Sequence, residues 1–368
     1  MGRFSKGLAK LKEVAEEVAE ELDQQQAAAG DSSQAATQDD EVVIPSDIRM
    51  FSGCQDHQTS SDVSNTKNFK LRPALGPSGA GGACTNSFLL AQQEVPDQSY
   101  SELLQHMRTI LKKKGYKQIP ELSTSRCVNL KEEFSAEHPN GNGKKKALLI
   151  GINYVGTEGE LHGCVNDVAK MKKYLKEQGY KNFLELTDDT RKKPTRKNII
   201  EGIQWLTAGA KSGDSLFLHY SGHGGQVEDL NGDEEDGYDS TLIPIDYKTA
   251  GQIIDDDLYA MIAGTLPKGV HVTAIMDCCH SGSILDLPYT IRMDGESLRK
   301  IQAGEDVVST YNPSFTMAVA TVVGKKIWEK LGFSPDAWEQ DFNEDEGGYS
   351  SEEDKKKKKK KKKYESEE

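Results

Sequence analysis

The sequence predicts an α/β protein with a mostly parallel central sheet flanked by helices on both faces. From Ala147 onward, apolar segments of strand length alternate with helical segments. The strand segments are nearly continuous apolar runs, as expected for strands that are buried on both faces. Alternation of this kind is typical of parallel sheets, and ligands bind at the carboxyl ends of their strands.

The expected elements follow one another along the chain. Strands are predicted at 147–155, 182–188, 214–224, 240–246 and 271–279, and helices at 164–179, 194–208 and 256–266. Two of the strands end in turns that are rich in small and polar residues, YSGHGG after one and MDCCHSG after the other. These two turns are therefore the first places in which to seek a functional site.

The rest of the chain divides by composition into segments. They are an amphipathic helix at 1–26, a disordered linker at 27–44, a compact region at 45–126, a second linker at 127–146, a catalytic region at 147–333 and a disordered tail at 334–368. The compact region contains a predicted strand in DIRMFSGC and a helix at 98–114. We expect the helix at 1–26 to pack on its own protein or fray; a coiled coil or a membrane-surface anchor is the alternative.

Composition excludes several classes of protein. No apolar run approaches the ~20 residues of a membrane span, and the N-terminus has no apolar region of a secretory signal. The net charge of −13 argues against nucleic acid as a partner. Six cysteines in 368 residues are too sparse for a disulfide scaffold. We expect a cytosolic or nuclear protein, monomeric, with part of its chain unfolded.

His223 and Cys279 are the candidate catalytic pair. A cysteine nucleophile needs a base nearby, and His is the usual one. His223 precedes Cys279 by 56 residues, close to the spacing of about 50 typical of caspases, and both lie at predicted strand ends. A cysteine endopeptidase is the function that this pair predicts, and Gly224 is expected to supply a backbone amide to the oxyanion.

The sequence places two cysteines side by side, Cys278 and Cys279. Successive residues of a strand face opposite sides, so the two cannot share one environment if the strand runs through both. Cys279 lies nearer the turn and is assigned as the nucleophile. Cys278 is expected to be a buried neighbour, and His280 is expected to point away from the nucleophile.

At this point the sequence resembles the metacaspases, caspase-like cysteine proteases of plants, fungi, algae and protists. YSGHGG and DCCHSGS resemble the family's two catalytic signatures, and GCVNDV at 163–168 resembles a third motif of its large subunit. FSGCQDHQTSSDV at 51–63 resembles the opening of its small subunit. The resemblance implies a caspase-haemoglobinase fold.

The order of these motifs departs from that of most metacaspases. The small-subunit signature comes first, so residues 45–126 would be the p10-like region and 147–333 the p20-like region. This order resembles type III metacaspases of algae. Self-cleavage in the linker is left open.

The resemblance also implies a pocket for a basic side chain, because carboxylates in a cleft hold a guanidinium or an ammonium group. Its residues would be Cys164, Asp167, Ser221 and Asp277. Substrates would accordingly be proteins or peptides with Arg or Lys at the cleavage site. For Asp167 alone, the alternative to a role in substrate binding is an acidic residue that stabilises the first turn of a helix.

Calcium is the cofactor that the resemblance implies, because many metacaspases need it. The family's site resembles Asp239, Asp255, Asp256 and Asp286. Helix capping is the alternative for the acidic triplet that begins at Asp255. The loop at 229–240 lacks the Gly and Glu of an EF-hand, and the cysteines lack zinc spacing.

Some alternatives stay open. A peptide ligase of the same fold and a catalytically silent scaffold are the rival functions. The nine lysines at 355–363 are expected to be a solvated tail; a nuclear-localisation patch and an autocleavage site are the alternatives. Oxidation of Cys279, with Cys278 or Cys164 as disulfide partner, is a further hypothesis.

Overall fold

The structure is a computed structural model of the chain. It describes residues 44–53, 62–63, 69–75, 79–126, 128–228, 237–279, 281–282, 284–292 and 310–311. The predicted N-terminal helix, nearly all of the first linker, His280 and the predicted tail lie outside the described residues. No helix of the described part is long and apolar enough to cross a bilayer.

The strands of the described residues form one large and two small sheets. In chain order they are β1 Asp47–Ser52, β2 Asp62–Val63, β3 Gly81–Gly82, β4 Glu121–Thr124, β5 Lys145–Gly151, β6 Asn182–Thr187, β7 Ser215–Ser221, β8 Gly224–Glu228, β9 Tyr238–Leu242, β10 Ile253–Ile254, β11 His271–Asp277, β12 Tyr289–Arg292 and β13 Thr310–Tyr311. The large sheet has the order β13-β12-β4-β1-β11-β7-β5-β6. One small sheet has the order β10-β9-β8, and the other pairs β2 with β3.

Five neighbouring strands of the large sheet are parallel. β1, β11, β7, β5 and β6 pair in parallel register, whereas β4, β12 and β13 pair antiparallel at one side. The prediction of a mostly parallel central sheet is therefore confirmed. The antiparallel side was not predicted, because β4 and β12 are four-residue strands with few apolar residues.

Helices cover the two faces of the large sheet. They are α1 Ala83–Glu94, α2 Tyr100–Lys113, α3 Cys164–Glu177, α4 Arg196–Thr207, α5 Tyr247–Ala250 and α6 Asp255–Ile262. Successive residues of β5 belong to different cores. Leu148 belongs to the core that contains residues of α4 and α6, and Leu149 belongs to the core that contains residues of α1, α2 and α3. This burial on both faces explains why the strands read as continuous apolar runs.

Local signals set the ends of several helices. Ser99 and Glu102 form a capping box at the start of α2, each side chain accepting a hydrogen bond from the other residue's backbone. Thr195 accepts from the Asn198 amide at the start of α4. After α3 the backbone turns at Gly179, whose φ of +82° favours glycine.

The region 45–126 contributes strands and helices to this common fold. Its strand β1 lies between β11 and β4, and both α1 and α2 pack on the sheet. The sequence predicted β1 and α2 but not α1, which follows a Gly-rich stretch and has little amphipathic contrast. Its first nine residues, Ala83 to Ala91, are all buried. The helix therefore lacks an exposed polar face, and its sequence shows no helical alternation of apolar and polar residues.

The predicted second linker is packed against the protein. Phe134 is buried and contacts the rings of Phe51 and Phe88. The Tyr180 hydroxyl donates a hydrogen bond of 2.6 Å to the Ala136 carbonyl. The segment therefore joins the two regions as a fixed part of the core rather than as a loose tether.

Candidate active site

The carboxyl ends of three parallel strands are aligned at one edge of the large sheet. Gly151 of β5 is in register with Ser221 of β7, and Ser221 is in register with Asp277 of β11. His223 and Cys279 each follow their last paired residue by two positions. The sheet register thus places both candidate catalytic residues just past the aligned ends of adjacent strands.

The turns that carry these residues are in contact. A Cβ added to Gly224 would lie 1.9 Å from the Cys279 carbonyl oxygen and 3.3 Å from the Cys278 Cβ. The Gly222 amide also donates a hydrogen bond of 3.4 Å to the Asp277 carbonyl. Only glycine fits at position 224, because any side chain would push the cysteine turn away.

The backbone of His223 is held by two tyrosines. Its amide donates to the Tyr154 hydroxyl at 3.0 Å, and its carbonyl accepts from the Tyr220 hydroxyl at 2.7 Å. The Tyr154 ring also lies 4.7 Å from the imidazole ring, centroid to centroid. Tyr154 is itself fixed by a 2.6 Å hydrogen bond from its hydroxyl to the Ile243 carbonyl.

The imidazole of His223 has a defined partner on one nitrogen. Nε2 lies 2.7 Å from the Gly159 carbonyl oxygen. A carbonyl only accepts, so this contact assigns the neutral ring the tautomer with its proton on Nε2. Nδ1 is then the nitrogen that can accept a proton.

Cys278 and Cys279 lie just beyond the end of β11, which stops at Asp277. Cys278 is buried in the hydrophobic core, whereas Cys279 is partly exposed. The two cysteines thus occupy different environments although the strand does not run through them. Cys279 is the one that a substrate can reach.

Gly224 directs its amide towards the free edge of the β8–β9–β10 sheet. The Ile243 amide donates to the His223 carbonyl at 3.3 Å, which makes His223 and Ile243 a hydrogen-bonded pair. Such pairs alternate with non-bonded ones along an antiparallel ladder, and the next pair is Gly224 with Leu242. Since β8 is an edge strand of this sheet among the described residues, the Gly224 N–H points away from β9.

The four predicted pocket residues lie close together near the carboxyl ends of the parallel strands. Ser221 Oγ lies 3.1 Å from Asp167 Oδ2, and the start of α1 comes between the two aspartates. The Gly82 amide donates to Asp167 Oδ2 at 2.6 Å, and a Cβ on Gly82 would lie 2.1 Å from Asp277 Oδ2. Cys164, the first residue of α3, is buried beside them.

Both aspartates are buried. Asp167 is 0% exposed and Asp277 is 5% exposed, and the Thr85 amide of α1 donates to Asp277 Oδ2 at 2.7 Å. Burial raises the pKa of Asp167 to about 8, and the nearby charge of Asp277 adds to the rise. Lys170 and the hydrogen bonds from Gly82 and Asn86 oppose that rise.

Several residues of the site were not predicted from the sequence. Tyr154 and Gly159 belong to the loop after β5, which ends at the same edge as β7 and β11. A third loop at that edge was the signal that could have found them. Thr85 and His219 form a buried contact of 3.1 Å between hydroxyl and Nε2, for which no sequence motif stands out.

The predicted calcium ligands are only partly brought together. The Ser240 amide, next to Asp239, donates to Asp255 Oδ2 at 2.5 Å, so the two aspartates lie near each other and both are buried. Asp255 Oδ1 also accepts from the Asp256 amide at 3.0 Å, as a helix-start carboxylate does. Asp286, the fourth predicted ligand, lies in a separate loop and has a left-handed backbone conformation with a φ of +42°.

Calcium suits this donor set in its chemistry, because all four groups are hard carboxylate oxygens. However, no three His, Cys, Asp or Glu side chains of the described residues are gathered closely enough to hold a metal ion. The chemistry of the four carboxylates suits the ion, but calcium binding would have to bring them closer together. Asp257 instead contacts Arg196, at 3.1 Å.

Comparison with known proteins gives matches to two family models. A model described as metacaspase, peptidase C14 domain, matches residues 145–288, and a model described as caspase domain matches residues 4–131. The first covers β5 to the loop before β12 and includes both candidate catalytic residues. The second covers the N-terminal region and α1 and α2.

Individual proteins match as well. The chain is 46% identical over 263 residues to Metacaspase III c of Phaeodactylum tricornutum, which covers 68% of this chain and 77% of that protein. It is 51% identical over 170 residues to Metacaspase-1A of Neurospora crassa, covering 45% of this chain but 37% of that protein. A solved structure, protein GSU0716 from Geobacter sulfurreducens, is 30% identical with a TM-score of 0.32, covering 51% of this chain and 65% of that one.

Proposed function

The chain belongs to the metacaspase family of caspase-like cysteine peptidases, and on that premise we propose that it is a calcium-dependent endopeptidase that cleaves after Arg or Lys. The observation that carries the proposal is the shared register of the two strand ends. His223 and Cys279 follow Ser221 and Asp277 by the same two residues on adjacent parallel strands. Two turns that meet in this way supply a base and a nucleophile to one cleft.

In the proposed mechanism, His223 acts through Nδ1. Its Nε2–H donates to the Gly159 carbonyl, so Nδ1 accepts the thiol proton of Cys279. The thiolate attacks the substrate carbonyl, and the Gly224 N–H donates to the oxyanion that forms. His223 then gives its proton to the leaving amine, and water hydrolyses the acyl-enzyme.

For specificity, the proposal depends on the two aspartates. A guanidinium or ammonium group entering beside Cys279 meets Asp277, the more exposed of the two. Asp167 lies behind it and adds a second negative charge when it is ionised. An acidic side chain would be repelled by Asp277, and also by Asp167 when that group is ionised, so cleavage after Asp is not expected.

Calcium dependence is part of the proposal. Asp239, Asp255, Asp256 and Asp286 would hold the ion, which would neutralise carboxylates that otherwise repel one another. Three of the four lie on or beside β9 and α6, and β9 is the neighbour of β8, the strand that carries Gly224. Ordering of β9 by the ion would be transmitted to the oxyanion donor through this pairing.

We also propose a type III arrangement, with the small region before the large one. The relative from Phaeodactylum tricornutum carries the name Metacaspase III c. In the sheet, β1 and β4 of the N-terminal region lie next to β11 and β12. In this proposal no cut between the two regions would be needed to assemble the site.

Hydrolysis of fluorogenic peptides tests the function. Peptides ending in Arg and in Asp are compared, with calcium and with chelator, and Cys279→Ala is the control for contaminating proteases. Calcium-dependent cleavage of the Arg peptide is expected. Cleavage of the Asp peptide would contradict the pocket assignment, and cleavage of Arg without calcium would leave the carboxylates a structural role.

A peptide ligase is the second candidate, because the same acyl-enzyme can be resolved by an amine instead of water. Adding an amine nucleophile such as glycine amide and analysing the products by mass spectrometry separates the two. Hydrolysed product in excess is expected. Transfer product in excess at low amine concentration would favour the ligase.

A further inference from the structure

A buried chain of hydrogen bonds connects the N-terminal region to the inner carboxylate of the pocket. Lys170 Nζ on α3 donates to Asn86 Oδ1 on α1 at 2.8 Å. Asn86 Nδ2 donates to Asp167 Oδ1 at 2.9 Å and to the Gly82 carbonyl at 2.7 Å. Lys170 and Asn86 are both buried, so this is a fixed polar network and not a surface contact.

The network uses both oxygens of Asp167. Oδ1 accepts from Asn86, and Oδ2 accepts from the Gly82 amide and from Ser221 Oγ. With no exposed surface, Asp167 offers nothing to a substrate directly. Its only route of action on the substrate is through its charge.

We propose that Asn86 and Lys170 are positioning residues of the specificity pocket, which set its net charge so that it accepts one monocationic side chain. This inference rests on the proposed function and names the residues that tune it. When Asp167 is ionised, two carboxylates and one ammonium leave one net negative charge, which matches one guanidinium or ammonium group. Asp277 is then the carboxylate that meets the substrate, and Asp167 is the charge that Lys170 keeps available.

The orientation of the Asn86 side chain suits it to bridge Lys170 and Asp167. Its amide oxygen faces the ammonium group and its amide nitrogen faces the carboxylate. The side chain thus links two opposite charges without itself carrying one. Asp in its place would repel Asp167, and an apolar residue would leave Lys170 and Asp167 each short of one hydrogen bond.

Among the charged groups that face Asp167, Lys170 is the cation that lowers the pKa of this carboxyl. Asp277 faces it from β11, Cys164 belongs to the same helix, and His219 of β7 lies beyond Thr85. Burial lowers the pKa of His219 to about 3, so this ring is neutral and adds no charge. Lys170 is the basic side chain that offsets burial and Asp277 at Asp167.

The test compares Lys170→Met with wild type on two peptides that differ only in the residue before the cleaved bond, Arg or its uncharged isostere citrulline. The ratio of kcat/KM for the two peptides cancels pH effects on the chemical step that they share, so it reports how the pocket discriminates a charged from an uncharged side chain. It is measured from pH 6 to 9. Lys172→Met is the matched control, since Lys172 is on the same helix but pairs with Glu185 at the surface.

We expect the preference for Arg to fall about tenfold at pH 7 in Lys170→Met and its rise with pH to move up by about one unit, because the pKa of Asp167 rises without its cation. Lys172→Met is expected to keep the wild-type ratio at every pH. An unchanged ratio and an unchanged pH profile in Lys170→Met would overturn the inference. A wild-type enzyme with no preference for Arg would instead contradict the proposed function.

Asn86→Leu is the second variant, in case Lys170→Met does not fold. It removes the bridge but keeps both charges, and thermal unfolding checks that it is folded. We expect the same direction of change with a smaller magnitude, about threefold, since Lys170 stays near Asp167 but loses its link. A wild-type ratio in folded Asn86→Leu would exclude Asn86 from the role.

Discussion

His223 and Cys279 lie two residues beyond Ser221 and Asp277, which are paired in register on adjacent parallel strands. The sheet itself therefore aligns the proposed base with the proposed nucleophile, and the turns add only short extensions. Gly224 lets the two turns meet, since a Cβ there would lie 1.9 Å from the Cys279 carbonyl oxygen. The following predictions test this alignment and the groups around it.

The adjacent cysteines should respond differently to substitution. Cys279→Ala is expected to abolish hydrolysis and keep the fold, because it removes the exposed thiol. Cys278→Ala should keep most of the activity but lower the free energy of unfolding by about 1 kcal/mol, because its sulfur packs in the core. Peptide hydrolysis and urea unfolding of both variants check this. An inactive but folded Cys278→Ala would reverse the assignment.

Gly224→Ala should lower kcat by about a hundredfold, because the added methyl group displaces the Cys279 backbone and the oxyanion donor. Gly225→Ala is the matched control. Its Cβ would meet side-chain atoms of Ile243, Thr241 and Gln252, at 3.0, 3.0 and 3.1 Å, and not the Cys279 backbone. Steady-state kinetics on both variants separate the two effects, and equal losses would show that the strand as a whole is intolerant.

Tyr154→Phe should lower kcat by about tenfold with little change in KM. The variant loses the hydroxyl that accepts from the His223 amide and donates to the Ile243 carbonyl, so the imidazole is held less firmly. Tyr174→Phe is the control, a buried tyrosine on α3 whose hydroxyl donates to Gln92. A loss confined to KM would mean that Tyr154 contacts substrate rather than positions His223.

His219 should make the protein less stable in acid. Burial lowers its pKa from 6.5 to about 3, so between these values the unfolded chain binds a proton that the folded protein does not. Its contribution to stability is complete above pH 6.5 and falls by about 1.4 kcal/mol per pH unit below it. Urea unfolding of wild type and His219→Gln at pH 7, 6 and 5 checks this, and we expect a weaker pH dependence in the variant.

The control for that measurement is His162→Gln, since His162 is largely exposed. Its pH dependence should match that of wild type. If His219→Gln lost stability in acid as steeply as wild type, another group would have to take up the proton.

The sequence was sufficient for the parallel half of the sheet and for the placement of His223 and Cys279 just past the ends of two neighbouring strands. Parallel strands such as β7 and β11 are buried throughout and mostly apolar, and their ends are followed by turns of small and polar residues. The antiparallel half was missed, because β4 is four residues long and two of them are Ser and Thr. Its burial comes from the neighbouring strands and not from its own pattern.

The interior of the pocket was also beyond the sequence. Family resemblance suggested Asp167 and Asp277, but it gave no sign that the start of α1 comes between them. The bridge from Lys170 through Asn86 joins residues 84 positions apart, and no periodic pattern encodes such a contact. Distances of this kind follow only from the packing of α1 on α3.

The position of β1 in the sheet has a consequence for biosynthesis. Asp47 pairs with His271, 224 residues later in the chain. At about 5–20 residues per second, β1 therefore waits roughly 10 to 45 seconds on the ribosome for its parallel partner. Cys279 is made only two residues after that partner ends. The nascent chain thus gains Cys279 almost at the moment when β1 can pair with β11, so no shorter stretch of it holds both that pairing and that thiol.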